Sequence, residues 1–137
     1  MAWLPHPATG FLGKPAWDQQ EIEIFYEGLW GPDILASDKI LGGIKRADGS
    51  FRENMIGEIV KKNFQDEIEL LKNYKMPVAF IHGADDKLVN FQYLTRLPLH
   101  LWKDKIHKID NAGHMPFYER PEQFDHLVLD YLNHLSR

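Results

Sequence analysis

Two stretches of this sequence hold residues suited to proton transfer. In His82-Gly83-Ala84-Asp85-Asp86-Lys87 a pair of carboxylates follows a glycine, and in Asp110-Asn111-Ala112-Gly113-His114-Met115-Pro116-Phe117 an imidazole follows another. Asp86 and His114 stand 28 residues apart, acid before histidine. A carboxylate that accepts the proton of one imidazole nitrogen leaves the other nitrogen free to take a proton from a nucleophile. Each stretch alone has a plainer reading: Asp after Gly bonds its own backbone in ordinary turns, and a lone loop histidine is usually structural or solvated. Their joint placement, each just past the end of a strand, favours an acid–histidine pair.

The elements that must position them follow from the surrounding pattern. Residues 77–82 form a short apolar run ended by Gly83, as expected of a strand buried on both faces. Asn90 can cap a helix over 90–97, stopped by Pro98, and residues 105–109 alternate as a second strand. Pro121 opens a last helix whose Phe124, Leu127, Val128, Tyr131, Leu132 and Leu135 make one apolar stripe. Strand–helix–strand implies a right-handed crossover and a parallel pair, with both loops at the carboxyl ends, where such sheets place ligands. Residues 1–75 read differently. A Pro- and Gly-rich loop reaches Trp17. Asp18 caps a helix to Trp30, ended by Gly31-Pro32, and a short helix covers 37–45. Ala47-Asp48-Gly49-Ser50 is a turn. A helical pattern then runs through Met55, Ile56, Ile59, Val60 and Phe64 and on through Ile68, Leu71 and Tyr74, with no strand expected. The fold class is α/β, with a helical region over 1–75 and a β-α-β-α lobe over 76–137.

Composition narrows the function. The 137 residues suit one globular domain, and eight Phe, five Tyr and four Trp rule out disordered and collagen-like classes. Sixteen Lys+Arg against twenty Asp+Glu leaves −4, which argues against nucleic acid as a partner. The absence of Cys removes disulfides, thiolate metal sites and a Cys nucleophile. No apolar run approaches the roughly 18 residues of a membrane span, and the N-terminus has no signal-peptide pattern, so a cytoplasmic protein without a membrane partner is expected. His126, Asp130 and His134 share one helix face at metal-ligand spacing, but a solvated surface accounts for them better, and no metal is expected. Lys103, Lys105 and Lys108 read as a solvated strand edge, and Gly42-Gly43 lacks the rest of a phosphate loop.

Residues 77–132 resemble the C-terminal part of the α/β-hydrolase fold family: Pro, a hydrophobic strand, Gly-x-x-Asp, a helix, a strand, Gly-His, then Glu-x-Pro and an amphipathic helix. Pro77, Gly83, Asp86, Gly113, His114 and Glu119 match, and Pro121 matches with one residue's difference in spacing. The resemblance implies that Asp86, third after the Gly, is the acid rather than Asp85, and that His114 is the catalytic base. Leu101-Trp102 and the run Lys108 to Phe117 resemble the acyl-homoserine-lactone hydrolases of that fold, and the region before residue 75, with its Ala47-Asp48-Gly49 turn, is similar in kind to their helical cap. That implies hydrolysis of a small-molecule ester or lactone, acyl-homoserine lactones among them, by a Ser–acid–His triad with no metal and no cofactor. Phe117 is expected to line the pocket, with core packing an equal alternative.

In that family the nucleophile sits in Gly-x-Ser-x-Gly, ahead of the acid and the histidine. Ser37, Ser50 and Ser136 are the serines of this chain, and none stands in such an elbow. The chain is therefore expected to be a cap plus C-terminal lobe without the nucleophile-bearing half, and inactive alone. Its Pro77 strand would keep an open edge, so a homo-oligomer, a swapped assembly or a need for the missing half is expected. The rival expectation is a non-catalytic module binding a hydrophobic ligand or partner through Trp3, Phe11, Trp17, Phe25, Tyr26 and Trp30, although such clustering more often marks core.

Overall fold

Side-chain caps begin the helices of the first half. Asp18 accepts from the Glu21 N–H at 2.8 Å while the Glu21 carboxylate accepts from the Asp18 N–H at 3.1 Å, a reciprocal box that opens α1 (Gln19–Gly28). Ser37 caps α2 (Asp38–Arg46), Asp48 caps α3 (Gly49–Val60) and Asp66 caps α4 (Glu67–Lys72). The computed structural model describes residues 2–34, 37–63 and 66–136. The expected turn at 47–50 is thus the start of a helix, because Asp48 accepts from the Ser50 N–H at 2.9 Å. The single helical pattern expected from Met55 to Tyr74 is two helices: α3 ends at Val60, Phe64 lies outside the described residues, and α4 stops before Tyr74.

The N-terminal loop is more ordered than its Pro and Gly content suggests. Pro7–Gly10 is a 3-10 turn, and Trp3 forms an isolated antiparallel bridge with Val89. The Leu4 N–H donates to Leu88 O at 2.8 Å and the Asn90 N–H to Ala2 O at 2.7 Å, so this loop is tied to the segment just after Asp86.

In the second half β1 (Ile81–Gly83) pairs in parallel with β2 (His107–Ile109), Ile81 opposite His107 and Gly83 opposite Ile109. Both strands are shorter than the expected 77–82 and 105–109. The pairing starts at a Val78–Leu101 bridge, then breaks where Trp102–Asp104 turns as a 3-10 segment with Lys103 and Asp104 at positive φ, and resumes at the Phe80 carbonyl, which accepts from the His107 N–H at 2.8 Å. Trp102, at the break, and Ile109, at the end of β2, have fully buried side chains, and burying the Ile109 side chain is worth roughly 1.5–3 kcal/mol. The helix expected over 90–97 is only α5 (Phe91–Leu94), because residue 97 precedes Pro98 and is held out of the helical region. The short α6 (Pro116–Glu119) leads into α7 (Pro121–Leu135), which has the expected start and length. Tyr131 of α7 donates its hydroxyl proton to Pro77 O at 2.8 Å, pinning the helix to the segment that leads into β1. The hydrophobic core gathers Tyr26, Leu29, Trp30 and Leu88, with Met115 against them, so α1, the Asp86 turn and the His114 loop share one cluster. Among the described residues no helix is long and apolar enough to cross a membrane.

Candidate active site

The two loops after β1 and β2 meet backbone to backbone. Gly83 allows it, since a Cβ there would lie 1.9 Å from Gly113 O. The Ala84 N–H donates to Ile109 O and the Asp85 N–H to Ala112 O, both at 2.9 Å, so the acid's turn is fastened to the histidine's loop. Asp86 Oδ1 accepts from the Leu88 N–H at 2.7 Å and the Val89 N–H at 3.0 Å, which fixes the carboxylate by its own turn. Asp86 Oδ2 lies 3.0 Å from His114 Nδ1. Asp85 is exposed beside it.

Burial and charge are graded along this pair. The Asp86 side chain is 6% exposed and that of His114 33%. Burial pushes the Asp86 carboxyl up, but the hydrogen bonds from His114, Leu88 and Val89 together outweigh it and hold the group below the usual carboxylate value. The acid therefore stays ionised at neutral pH. With a neutral imidazole the pairing requires the proton on Nδ1, which leaves Nε2 as the nitrogen able to accept one.

His114 lies in the wall of an apolar cavity of about 640 Å³, a size that suits a small organic ligand. The cavity's lining draws on Phe25 of α1, Ile44 of α2, Phe51, Met55, Ile56 and Ile59 of α3, Trp3, Ala8, Leu12 and Trp17 of the N-terminal loop, and Leu88. Arg52 stacks 4.3 Å over the Trp17 ring and adds a charge to the lining. The six aromatics of the rival reading divide between these roles. Phe11, Tyr26 and Trp30 are buried, while Trp3, Trp17 and Phe25 line the cavity.

Phe117 stands apart from this cavity. It is 54% exposed on α6, with its ring 6.1 Å from that of Phe124. The serines are also elsewhere: Ser37 caps α2, Ser50 sits exposed in the first turn of α3, and Ser136 donates to Leu132 O at the end of α7. Asp130 pairs with Lys103 at 2.5 Å rather than with its helix-face histidines, and no metal-binding group of three His, Cys, Asp or Glu occurs among the described residues.

Two residues near the pair carry no role in the sequence reading. His82 is buried with its Nε2 3.8 Å from Asp86 Oδ2 and its ring edge-on to Phe91. Its i, i+4 relation to Asp86 across the turn was the available signal. Glu119, read only as part of a motif, is buried beside the His114 loop.

No protein-family model matches the sequence. The 2-hydroxy-6-oxononadienedioate/2-hydroxy-6-oxononatrienedioate hydrolase 2 of Pseudomonas putida is 30% identical over 73 residues, covering 53% of this chain and 26% of that protein. An N-acyl homoserine lactonase AidH, solved in complex with N-hexanoyl homoserine lactone, superposes with a TM-score of 0.86 at 23% identity, covering 96% of this chain and 48% of its own. The carboxylesterase CesB of Bacillus subtilis gives 0.61 at 17% identity, with 96% and 47% covered. This chain thus spans about a quarter of the curated relative and about half of the solved structures. Its fold is part of the α/β-hydrolase fold.

Proposed function

We propose that this chain supplies the acid, the general base and the apolar acyl-binding wall of an ester or lactone hydrolase. The observation that carries the reading is the Asp86–His114 pair with His114 in the wall of an apolar cavity. Residues 1–75 act as a cap over residues 76–137, and the substrate is a small acyl ester or lactone, as for the N-acyl homoserine lactonase that the fold resembles. His114 Nε2 takes the proton of a hydroxyl nucleophile as that oxygen attacks the carbonyl carbon. His114 then returns the proton to the leaving alkoxide, giving an acyl-enzyme. Water, deprotonated by the same nitrogen, releases the acid and frees the nucleophile. Asp86 holds the imidazole in the Nδ1–H tautomer and stabilises the imidazolium.

Ser37, Ser50 and Ser136 all lie outside the cavity, and the Thr9 hydroxyl that lines it donates to His6 O at 2.7 Å rather than to an imidazole, so the nucleophile and the oxyanion donors come from a further segment, either a second chain or a longer form of this one. The accessible surface supports such an arrangement. It is 9356 Å² for 16.0 kDa, against about 7,400 Å² expected of a compact monomer of that mass. The excess is on the scale of one side of a large obligate interface.

The test is to read the coding DNA upstream of Met1, express any in-frame extension that carries a strand–Gly-x-Ser-x-Gly–helix segment, and assay p-nitrophenyl hexanoate and N-hexanoyl homoserine lactone. Turnover abolished by His114→Ala with the fold retained is expected; near-normal turnover in that variant overturns the reading. The apolar cavity without a serine beside it favours a second reading, a module that binds acyl ligands without turning them over. Binding of hexanoyl compounds by every active-length form, with no hydrolysis, selects that one.

A further inference from the structure

Glu119 ends α6 and is buried, the residue only 7% exposed. Its described partners are all backbone donors. Oε1 accepts from the Gly113 N–H at 2.9 Å and the Met115 N–H at 3.1 Å; Oε2 accepts from the Gly31 N–H at 2.7 Å and the Gly113 N–H at 2.9 Å. Those residues flank His114 on both sides and reach the segment just past α1. The His114 N–H itself donates to Leu29 O at 2.9 Å. Three consecutive amides around the imidazole are thus assigned, two to Glu119 and one to the end of α1. Gly31 and Gly113 make room for this. A Cβ on Gly31 would lie 2.7 Å from Gly113 N, and one on Gly113 would lie 2.4 Å from Gly31 N. Because α1 also contributes Phe25 to the cavity wall, one carboxylate ties that wall to the histidine.

We infer that Glu119 is a positioning residue for His114, its carboxylate locking the backbone on both sides of the imidazole onto the end of α1. The inference rests on the acid–histidine reading above. An anion suits the place because every described partner donates, and hydrogen bonds to an ionised acceptor are the short, strong ones. An amide of the same shape would turn one donor toward other donors, leaving buried N–H groups unmatched.

Imidazole nitrogen spectra and amide hydrogen exchange on the 137-residue chain test this. The wild type is expected to hold His114 in the Nδ1–H tautomer, with slow exchange at Gly31, Gly113 and Met115. In Glu119→Gln the amides of β1 and β2 stay protected, those three amides exchange about tenfold faster or more, and His114 becomes a mixture of tautomers; Glu119→Asp recovers part of both effects. An unchanged tautomer and unchanged protection in a folded Glu119→Gln overturn the inference. A wild type with His114 in the Nε2–H tautomer overturns the acid–histidine reading instead, while the exchange data still report on Glu119. If Glu119→Gln does not fold, through-hydrogen-bond couplings from the Gly31 and Gly113 nitrogens to the Glu119 carboxyl carbon in the wild type decide: their presence supports the lock and their absence overturns it.

Discussion

His114 Nδ1 meets Asp86 Oδ2 at 3.0 Å, while the other oxygen of Asp86 is already held by the amides of Leu88 and Val89. The acid is oriented by its own turn as well as by the histidine. The pair is therefore pre-organised, and its electrostatics can be read without any substrate.

Acid should weaken the fold in part through Asp86. Its carboxyl titrates lower in the folded chain than in the unfolded one, so its contribution is complete above the unfolded value of about 3.9 and is lost as pH falls through the lower folded value. Asp86→Asn keeps the oxygen facing Leu88 and Val89 but loses the charge toward His114. Urea unfolding of the variant should show a loss of about 1.5–3 kcal/mol at pH 7, and a difference from wild type that shrinks as pH falls below about 4. A constant difference from pH 7 to pH 3 would contradict this assignment.

The serines offer a sharper chemical check. Ser37 and Ser136 are engaged as a helix cap and a helix-end donor, and Ser50 is exposed in the first turn of α3. None has an imidazole as its described partner, so none is an activated nucleophile. Incubated with a fluorophosphonate probe, the 137-residue chain should show no stoichiometric labelling by mass spectrometry. A serine labelled to completion would identify a nucleophile within the chain.

Much of the site was legible because it is local. Asp86 bonds amides two and three residues ahead in its own turn, and the two loops each follow a strand of one parallel pair, so strand order brought them together on paper, while the choice of Asp86 over Asp85 came only from the family resemblance. Ser37, Asp18 and Pro121 likewise marked helix starts that the fold keeps. What the sequence concealed depends on contacts distant along the chain. The break between the Val78–Leu101 bridge and β2 comes from the buried Trp102 and two residues at positive φ. Phe117 left the cavity because α6 turns it onto Phe124. The link from Glu119 to Gly31 spans 88 residues, and no periodicity announces it.

The cavity should take an acyl chain, and α3 is where to perturb it. Met55 lines the cavity while being 44% exposed, so Met55→Lys leaves the fold nearly intact, with a stability change within about 1 kcal/mol. It places a charge against an apolar chain. Tryptophan fluorescence, with Trp3 and Trp17 in the wall, should report binding of the uncharged ester methyl decanoate to the wild type and binding about tenfold weaker or more in the variant, the scale of one or two lost methylene contacts. Equal affinities would place the acyl chain elsewhere.

The outer edge of β1 should make the chain associate. Among the described residues only β2 pairs with β1, so the opposite edge of an apolar strand is open. The helix behind it is also incompletely covered, with Leu129 60% and Leu132 50% exposed on α7. An open strand edge and exposed leucines on the same lobe both gain by pairing with a like surface, or with a strand from another segment. Light scattering of the 137-residue chain should give a mass above 16.0 kDa that falls on dilution. Leu129→Lys with Leu132→Lys should lower that mass at any fixed concentration without lowering helix content. If edge pairing dominates, the doubly substituted chain will still associate at high concentration, and only added strand-bearing segment will compete it away. A wild-type chain that stays a compact monomer at every concentration would refute the association, and the excess exposed surface would then need no partner to cover it.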